Sequence, residues 1–194
     1  MFRTILACML ICIATIAPSK TKPLEHIPLQ WRPTSDLRLG AAQMSASSVT
    51  IAAFTDGRDS KESIGENREE GELKPVTTSD DVGSFVSMHV RQLFDQAGIK
   101  TVDSGGAVTI RGEVTKFFVR ESATYKSEVA IHLTVVDPEG KTLWNGLASG
   151  EATRFGRSYK EENYYEVLSD ALVNTVSSML QAADFQKAIS GHGT

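Results

Sequence analysis

Carboxylates crowd one polar stretch of the chain, and their residue type could serve acid–base chemistry or bind a cation. The stretch runs from residue 55 to 78, and its acidic side chains are Asp56, Asp59, Glu62, Glu66, Glu69, Glu70 and Glu72. A calcium loop places its ligands at alternate positions around a required glycine. Here Arg58 occupies a position where a ligand is needed. The spacing therefore favours a solvated loop over a metal site or an acid–base pair.

The histidines do not indicate a metal site either. They are His26, His89, His132 and His192. Their spacing matches no metal-binding motif, so we interpret them as surface residues. The chain also lacks a Gly-x-Ser-x-Gly elbow, a phosphate-binding glycine loop and a dinucleotide fingerprint. We therefore expect a protein that is not an enzyme and uses no cofactor or metal.

Net charge and composition limit the classes of partner that we expect. The formal net charge is −4, and no basic stripe is interleaved with aromatic residues. Nucleic acid is therefore not an expected partner. With 194 residues, 41% hydrophobic and 23% charged, the chain has ordinary globular composition. It is long enough to bury a sizeable core in one domain.

The amino terminus resembles a secretory signal. Arg3 is followed by an apolar run over residues 5–17 and by the small residues of Ala17-Pro18-Ser19. The run is shorter than the roughly 20 residues that cross a bilayer. We predict a signal peptide over residues 1–19 and export to the periplasm of a Gram-negative bacterium. The alternative is an outer-membrane lipoprotein, since membrane association requires a retained signal or acylation of Cys8 or Cys12.

The mature chain divides into three parts. Residues 20–48 contain recurring prolines and predict an extended tether, with a possible edge strand that includes Leu24, Ile27, Leu29 and Trp31. Residues 49–190 predict a single domain, and residues 191–194 a flexible tail. Both cysteines lie within the signal, so the processed protein would contain no disulfide.

Residues 125–155 predict a β-hairpin. On one side fall the apolar residues Val129, Ile131, Leu133 and Val135; on the other fall Lys126, Glu128, His132 and Thr134. This alternation is typical of a strand with one buried face. Asp137-Pro138-Glu139-Gly140 has the residues of a turn between the two strands.

Two amphipathic helices are available to cover the apolar face of that sheet. Apolar residues recur every three or four positions after Ser79-Asp80-Asp81, and again within residues 159–183. Short strands are predicted at residues 49–54, 99–102 and 108–119. The order predicts an α+β two-layer sandwich, with a mainly antiparallel sheet of about four to six strands and both helices on one face.

The polar stretch 55–78 shows no clear apolar period and predicts a loop that is mobile in the isolated domain. Ordering it costs roughly 1 to 2 kcal/mol per residue, which binding could supply. We therefore predict partner contacts at Arg58, Asp59, Ile64, Gly65 and Arg68. The alternative is a dispensable surface loop.

Several short segments resemble the YajG-like family of bacterial envelope proteins. They are Asp56-Gly57-Arg58-Asp59, Ile64-Gly65, the strand from Gly150 to Phe155 and the closing helix from Leu180 to Ile189, within roughly positions 28–190. The resemblance implies a periplasm-facing α+β domain, commonly lipid-anchored, with no established catalytic residues. The chain departs from the family at the anchor, because it has no well-placed lipobox cysteine.

Taken together, these features predict a periplasmic binding or accessory protein of a cell-envelope assembly or transport system, with an envelope protein as partner. A carrier of a small lipid is the alternative, and a hydrolase is third. A carrier requires an enclosed apolar cavity, and a hydrolase requires titratable groups that converge in a cleft.

The processing prediction can be measured directly. The intact mass of the protein from the periplasmic fraction should correspond to a chain that begins near Lys20. An acylated species that begins at Cys8 or Cys12 would contradict this prediction.

Overall fold

The computed structural model describes residues 23–38, 48–69, 73–156 and 158–190. The predicted signal peptide, both cysteines, His192 and the predicted tail lie outside these residues. The elements, in chain order, are β1 (Val49–Ile51), β2 (Thr55–Asp56), β3 (Ser63–Asn67), β4 (Lys74–Thr77), α1 (Val82–Gln96), β5 (Thr101–Val102), β6 (Val108–Glu121), β7 (Thr124–Val136), β8 (Thr142–Phe155), α2 (Glu161–Gln181) and α3 (Ala183–Ile189). No helix in the described parts combines the length and hydrophobicity that crossing a membrane requires.

The sheet is built on β6. Along one edge, β6 pairs with β7 in antiparallel orientation, and β7 pairs in the same way with β8. Along its other edge, β6 pairs in parallel with β1, β2 and β3 in succession. β5 extends the sheet beyond β1, and β4 extends it beyond β3. The described residues therefore form an eight-stranded mixed sheet, larger than the four to six strands that we predict.

The helices cover one face of this sheet, so the α+β two-layer sandwich is confirmed. α2 lies directly against β8, where a Cβ on Gly150 would stand 2.3 Å from the backbone nitrogen of Thr175. α1 approaches the sheet through Gly83, whose Cβ would stand 2.4 Å from the carbonyl oxygen of Phe54. The third helix, α3, is added to the two predicted helices, and its Phe185 is fully buried. Glycine at these contacts lets helix and strand backbones pack closely.

The predicted hairpin is confirmed in both register and faces. Val129, Ile131 and Leu133 are at most 1% exposed, whereas His132 lies on the open face. The turn forms as expected: Gly140 has φ of 86°, and its N–H donates to the carbonyl oxygen of Asp137 at 3.0 Å. A positive φ of this kind favours glycine.

The predicted tether is docked along the helices over residues 23–38. Leu24 forms a parallel bridge with Val76, which adds to the sheet beyond β4. The backbone N–H groups of Arg32 and Arg38 donate to Ser169 and Ser177 of α2, at 3.0 and 3.1 Å. Side chains of α2 therefore satisfy backbone groups of the extended segment, which has no strand partner there.

His89 corrects our interpretation of the histidines as surface residues. It is 7% exposed and stacks on Trp31, with ring centroids 4.3 Å apart and an interplanar angle of 9°. Burial lowers the pKa of His89 below its ordinary value of 6.5. A hydrogen bond to Gln92 acts in the opposite direction but is the smaller effect. Both His26 and His132 are exposed, as predicted.

The structureless loop predicted over residues 55–78 is wrong. This stretch contains β2, β3 and β4, and residues 70–72 lie outside the described residues. Ile64 and Val76 are both fully buried. The strands are too short to show a period in the sequence, and the pairing partner of β2 and β3 lies far away in β6. Tertiary pairing therefore orders a segment that its composition marks as polar.

Substitutions on the two faces of β7 should differ strongly in their effect on stability. Ile131→Ala should lower the free energy of unfolding by about 2 to 5 kcal/mol, because it leaves a cavity under the helices. Lys126→Ala removes an exposed side chain and should change that free energy by less than about 0.5 kcal/mol. Urea denaturation of both variants measures the difference. Equal costs would contradict the assigned faces.

Candidate partner-binding face

The uncovered face of β6, β7 and β8 is the candidate functional site, and we call it the outer face. Its strands have 14, 13 and 14 residues and no helix of the described chain lies over it. Alternate residues of β8 point outward, and all of them are exposed: Asn145, Leu147, Ser149, Glu151, Thr153 and Phe155. Leu147 is 63% and Phe155 85% exposed. Both side chains are accessible to a binding partner.

A β-bulge shapes the centre of the outer face. The pairing of β6 with β7 shifts register between Val114 and Lys116, which leaves Thr115 as the extra residue. After the bulge, Lys116 and Phe118 lie on the outer face, and the Lys116 ammonium stands 5.3 Å from the centroid of the Phe118 ring. Bulges occur often beside functional sites because they redirect side chains.

Two shallow cavities meet at Lys116 and Phe118. One has a volume of about 210 Å³ and extends over β7 and β8 to Lys126, Glu151 and Thr153. The other has a volume of about 190 Å³ and extends towards the segment that follows β2. Charged and hydroxyl side chains line much of both cavities. Together they form a polar groove across the outer face.

Arg58 holds the segment beside this groove in place. Its guanidinium makes two hydrogen bonds to the Asp56 carboxylate, at 2.9 and 2.8 Å. It also donates to the carbonyl oxygens of Lys61 and Ser63, at 2.5 and 2.7 Å. Burial raises the pKa of Asp56, but the hydrogen bonds and charge of Arg58 outweigh burial and hold that pKa below 3.8. The pair fixes the turn between β2 and β3.

The five predicted contact residues separate into two groups. Arg58, Ile64 and Gly65 are buried: Ile64 is 0% exposed, and a Cβ on Gly65 would meet the ring of Tyr164 at 2.9 Å. Asp59 and Arg68 are exposed. Asp59 lines the smaller cavity, whereas Arg68 forms an ion pair with Glu66 at 2.7 Å. Burial removes the first three as contacts for a docking partner, and contact by Asp59 and Arg68 stays a prediction.

A second polar cluster lies inside the protein and joins β6 to α2. Glu121 is fully buried and accepts hydrogen bonds from the Tyr164 hydroxyl at 2.7 Å and the Tyr159 N–H at 2.9 Å. Burial, reinforced by this carboxylate, raises the pKa of Tyr164. Tyr159 extends the connection, since its hydroxyl donates to the carbonyl oxygen of Pro75 at 3.2 Å. Neither cavity of the outer face reaches this cluster, and its hydrogen bonds serve packing.

Cation binding finds no support in the geometry. Within the described ranges, no group of three or more histidine, cysteine, aspartate or glutamate side chains has the arrangement of a metal site. Asp56 and Glu66 of the polar stretch are instead engaged with arginine. Glu66, for example, accepts from both Arg68 and Arg120, at 2.7 and 2.9 Å. Burial opposes ionisation of Glu66, but these two arginines hold its pKa below the ordinary value.

The sequence reasoning missed the charge pairs of the outer face. Arg120 is the register partner of Lys126, and Glu128 is that of Glu151. Like charges directly opposite each other destabilise a sheet. The alternation of the hairpin revealed which residues face outward, but only the register of three strands shows which charges are neighbours.

Comparison with known proteins identifies the fold. No family model and no curated protein matches the chain. A Xanthomonas campestris protein described under the DUF330 family aligns with a TM-score of 0.57 and 12% identity, over 82% of this chain and 95% of that one. PelC of Paraburkholderia phytofirmans, a dodecamer, aligns with a TM-score of 0.42 and 13% identity, over 76% and 96% of the two chains. A Caulobacter crescentus protein described as a candidate lipoprotein gives 0.45 and 8%, over 73% and 93%. The likeness to the Xanthomonas campestris protein shows a shared fold.

The two arginines of the polar stretch provide a matched pair for testing the buried turn. Arg58→Ala leaves the Asp56 carboxylate and several carbonyl oxygens without their donor, and should cost about 3 to 5 kcal/mol of unfolding free energy. Arg68→Ala removes a half-exposed ion pair and should cost less than about 1 kcal/mol. Chemical denaturation at neutral pH compares them. A small effect of Arg58→Ala would show that the turn does not depend on this guanidinium.

Proposed function

We propose that this protein is a non-catalytic binding or accessory protein of the bacterial cell envelope, and that it contacts a protein partner through the outer face. The single observation that carries this proposal is the asymmetry of the sheet. Helices pack against one face, whereas three long strands leave the other face open, with Leu147 and Phe155 exposed on it. An uncovered sheet face of this extent is available to a partner.

The predicted signal peptide and the resemblance to the YajG-like family support an envelope location. The same features favour a partner in the periplasm or at a membrane that faces it. The open groove fits this role better than a lipid carrier, because the lining of both cavities includes charged groups such as Lys116 and Asp59. A carrier instead requires an enclosed apolar cavity.

Site-specific photocrosslinking in the native host tests the proposal. A photoreactive amino acid at Thr153, which lines the larger cavity of the outer face, should give a discrete protein adduct in the periplasmic or membrane fraction. The control position is Ser178, which is exposed on the helical side. Adducts of equal yield at both positions, or none at Thr153, would contradict the assigned face.

A charge-reversal pair tests the same face, again with the Thr153 adduct as the readout. Lys116→Glu with Lys126→Glu reverses two charges of the groove and should change the yield of that adduct by about tenfold or more if each altered contact contributes about 1 kcal/mol. Lys160→Glu with Lys187→Glu makes the same change of charge at exposed positions outside the groove. That control should leave the adduct unchanged.

A further inference from the structure

β8 is a free edge strand without the usual protection. Among the described residues it pairs only with β7, and it runs for 14 residues. Natural edge strands are commonly short, or carry lysine, proline or a bulge that blocks pairing with another chain. β8 contains no lysine or proline, and its one register irregularity lies at its first residues, opposite Val135 and Val136. The rest of the strand is available for pairing.

The backbone groups on the free edge belong to the residues whose side chains point to the outer face. The Asn174 side chain donates to the carbonyl oxygen of Glu151 at 2.8 Å, so that oxygen is directed away from β7. In an antiparallel pair the direction alternates from residue to residue. Ser149 and Thr153 therefore present their N–H and C=O groups to the edge as well. A carbonyl oxygen has two lone pairs, so Glu151 can still accept from an added strand.

Two carboxylates lie next to each other near this edge. Glu151 lies directly opposite Glu128, at a Cβ separation of roughly 4.5 to 5.5 Å. Lys126 is the register partner of Thr153 and so lies only diagonally from Glu151. Neither glutamate forms an ion pair within 4.0 Å of a cation in the described parts of the chain. A cation opposite Glu151 on an added strand would neutralise the two adjacent carboxylates.

Exposed apolar side chains lie at equal distances on either side of Glu151. Leu147 precedes Glu151 by four residues, and Phe155 follows it by four. Side chains four residues apart lie on the same face of a strand, roughly 13 Å apart along it. An added strand that places apolar residues opposite Leu147 and Phe155 would cover both.

We propose that β8 binds an extended segment of the partner by strand addition, and that this segment carries a basic residue opposite Glu151 with apolar residues four positions to either side. The inference rests on the proposed function and specifies its partner. The free backbone groups provide affinity, and the three side chains select the sequence. Pairing also removes the exposed edge.

A second copy of β8 does not supply this pattern. Every register that keeps the outer faces together places Glu151 opposite an outer-face residue of the other copy, and those residues include no cation. Arg154 is the only cation of β8; it points to the helical side and forms an ion pair with Glu166. Charge complementarity therefore favours a different chain as the occupant.

Synthetic peptides test this pattern on the purified full chain. The probe is a nine-residue peptide with leucine at both ends, lysine at the centre and threonine or serine elsewhere; its match has glutamate at the centre. By fluorescence anisotropy at low salt, the protein should bind the lysine peptide about fivefold more tightly than the glutamate peptide. Glu151→Lys should reverse this order. Glu139→Lys, which makes the same charge change in the exposed β7–β8 turn, should preserve it.

Hydrogen exchange and a proline substitution test the backbone pairing between β8 and the peptide separately. Hydrogen exchange should slow at the amides of Ser149 and Thr153 when the lysine peptide binds. Ser149→Pro removes one of these N–H groups at a position where an edge strand tolerates proline, and it should abolish binding of both peptides. The charge-reversal experiment does not depend on the folding of this variant.

Each outcome decides the proposal. Equal affinity for the two peptides, an unchanged order in Glu151→Lys, or no protection of the two amides would overturn it. A concentration-dependent dimer that the lysine peptide cannot displace and that Ser149→Pro abolishes would assign the edge to a second copy, and would also overturn it. Peptide binding without a crosslink from Thr153 in cells would leave this inference standing and overturn the proposed envelope function. The reverse result would overturn only the inference.

Discussion

The pairing of β6 on both of its edges is the constraint on which the rest of the structure depends. Its antiparallel edge holds β7, and its parallel edge holds β1, β2 and β3 one after another. These three strands follow one another along β6 in a single direction, opposite residues 108–110, 113–114 and 119–121 in turn. Three short strands, each too short to be stable by itself, are therefore ordered by one long strand that is itself stabilised by its hairpin partner.

This arrangement explains why buried charge concentrates between β2 and β3. The chain must turn beside β6 without a helix to cover the turn, and the backbone carbonyls there need donors. Arg58 supplies them while it pairs with Asp56. Arg120 of β6 similarly engages Glu66 of β3. Asp56 and Glu66, two of the acidic residues that suggested chemistry, thus help to hold the short strands in place.

The outer face is open because the helices are used on the other side. α2 packs its backbone against Gly150, and the small inward-facing residues of β8 allow that approach. The same strand consequently presents its larger side chains, Leu147 and Phe155, to solvent. Because side chains alternate along β8, one of its faces packs closely against α2 and the other is exposed to solvent. The exposed face is therefore available for a partner to bind.

Local pattern in the sequence determined the hairpin, its faces, the two main helices and hence the α+β class. Each is encoded by a period of two or of three to four, or by turn residues such as Pro138 and Gly140, within one continuous segment. Tertiary structure decided the conformation of residues 55–78, because strands of two to five residues carry no period and β2 and β3 gain hydrogen bonds from β6. It also decided the burial of His89, on which the Trp31 ring from a distant segment stacks, and of Arg58, which donates to the carbonyl oxygen of Phe117 in β6. The opposition of Glu128 and Glu151 depends on register between strands, which is a property of the assembled sheet and of no single segment.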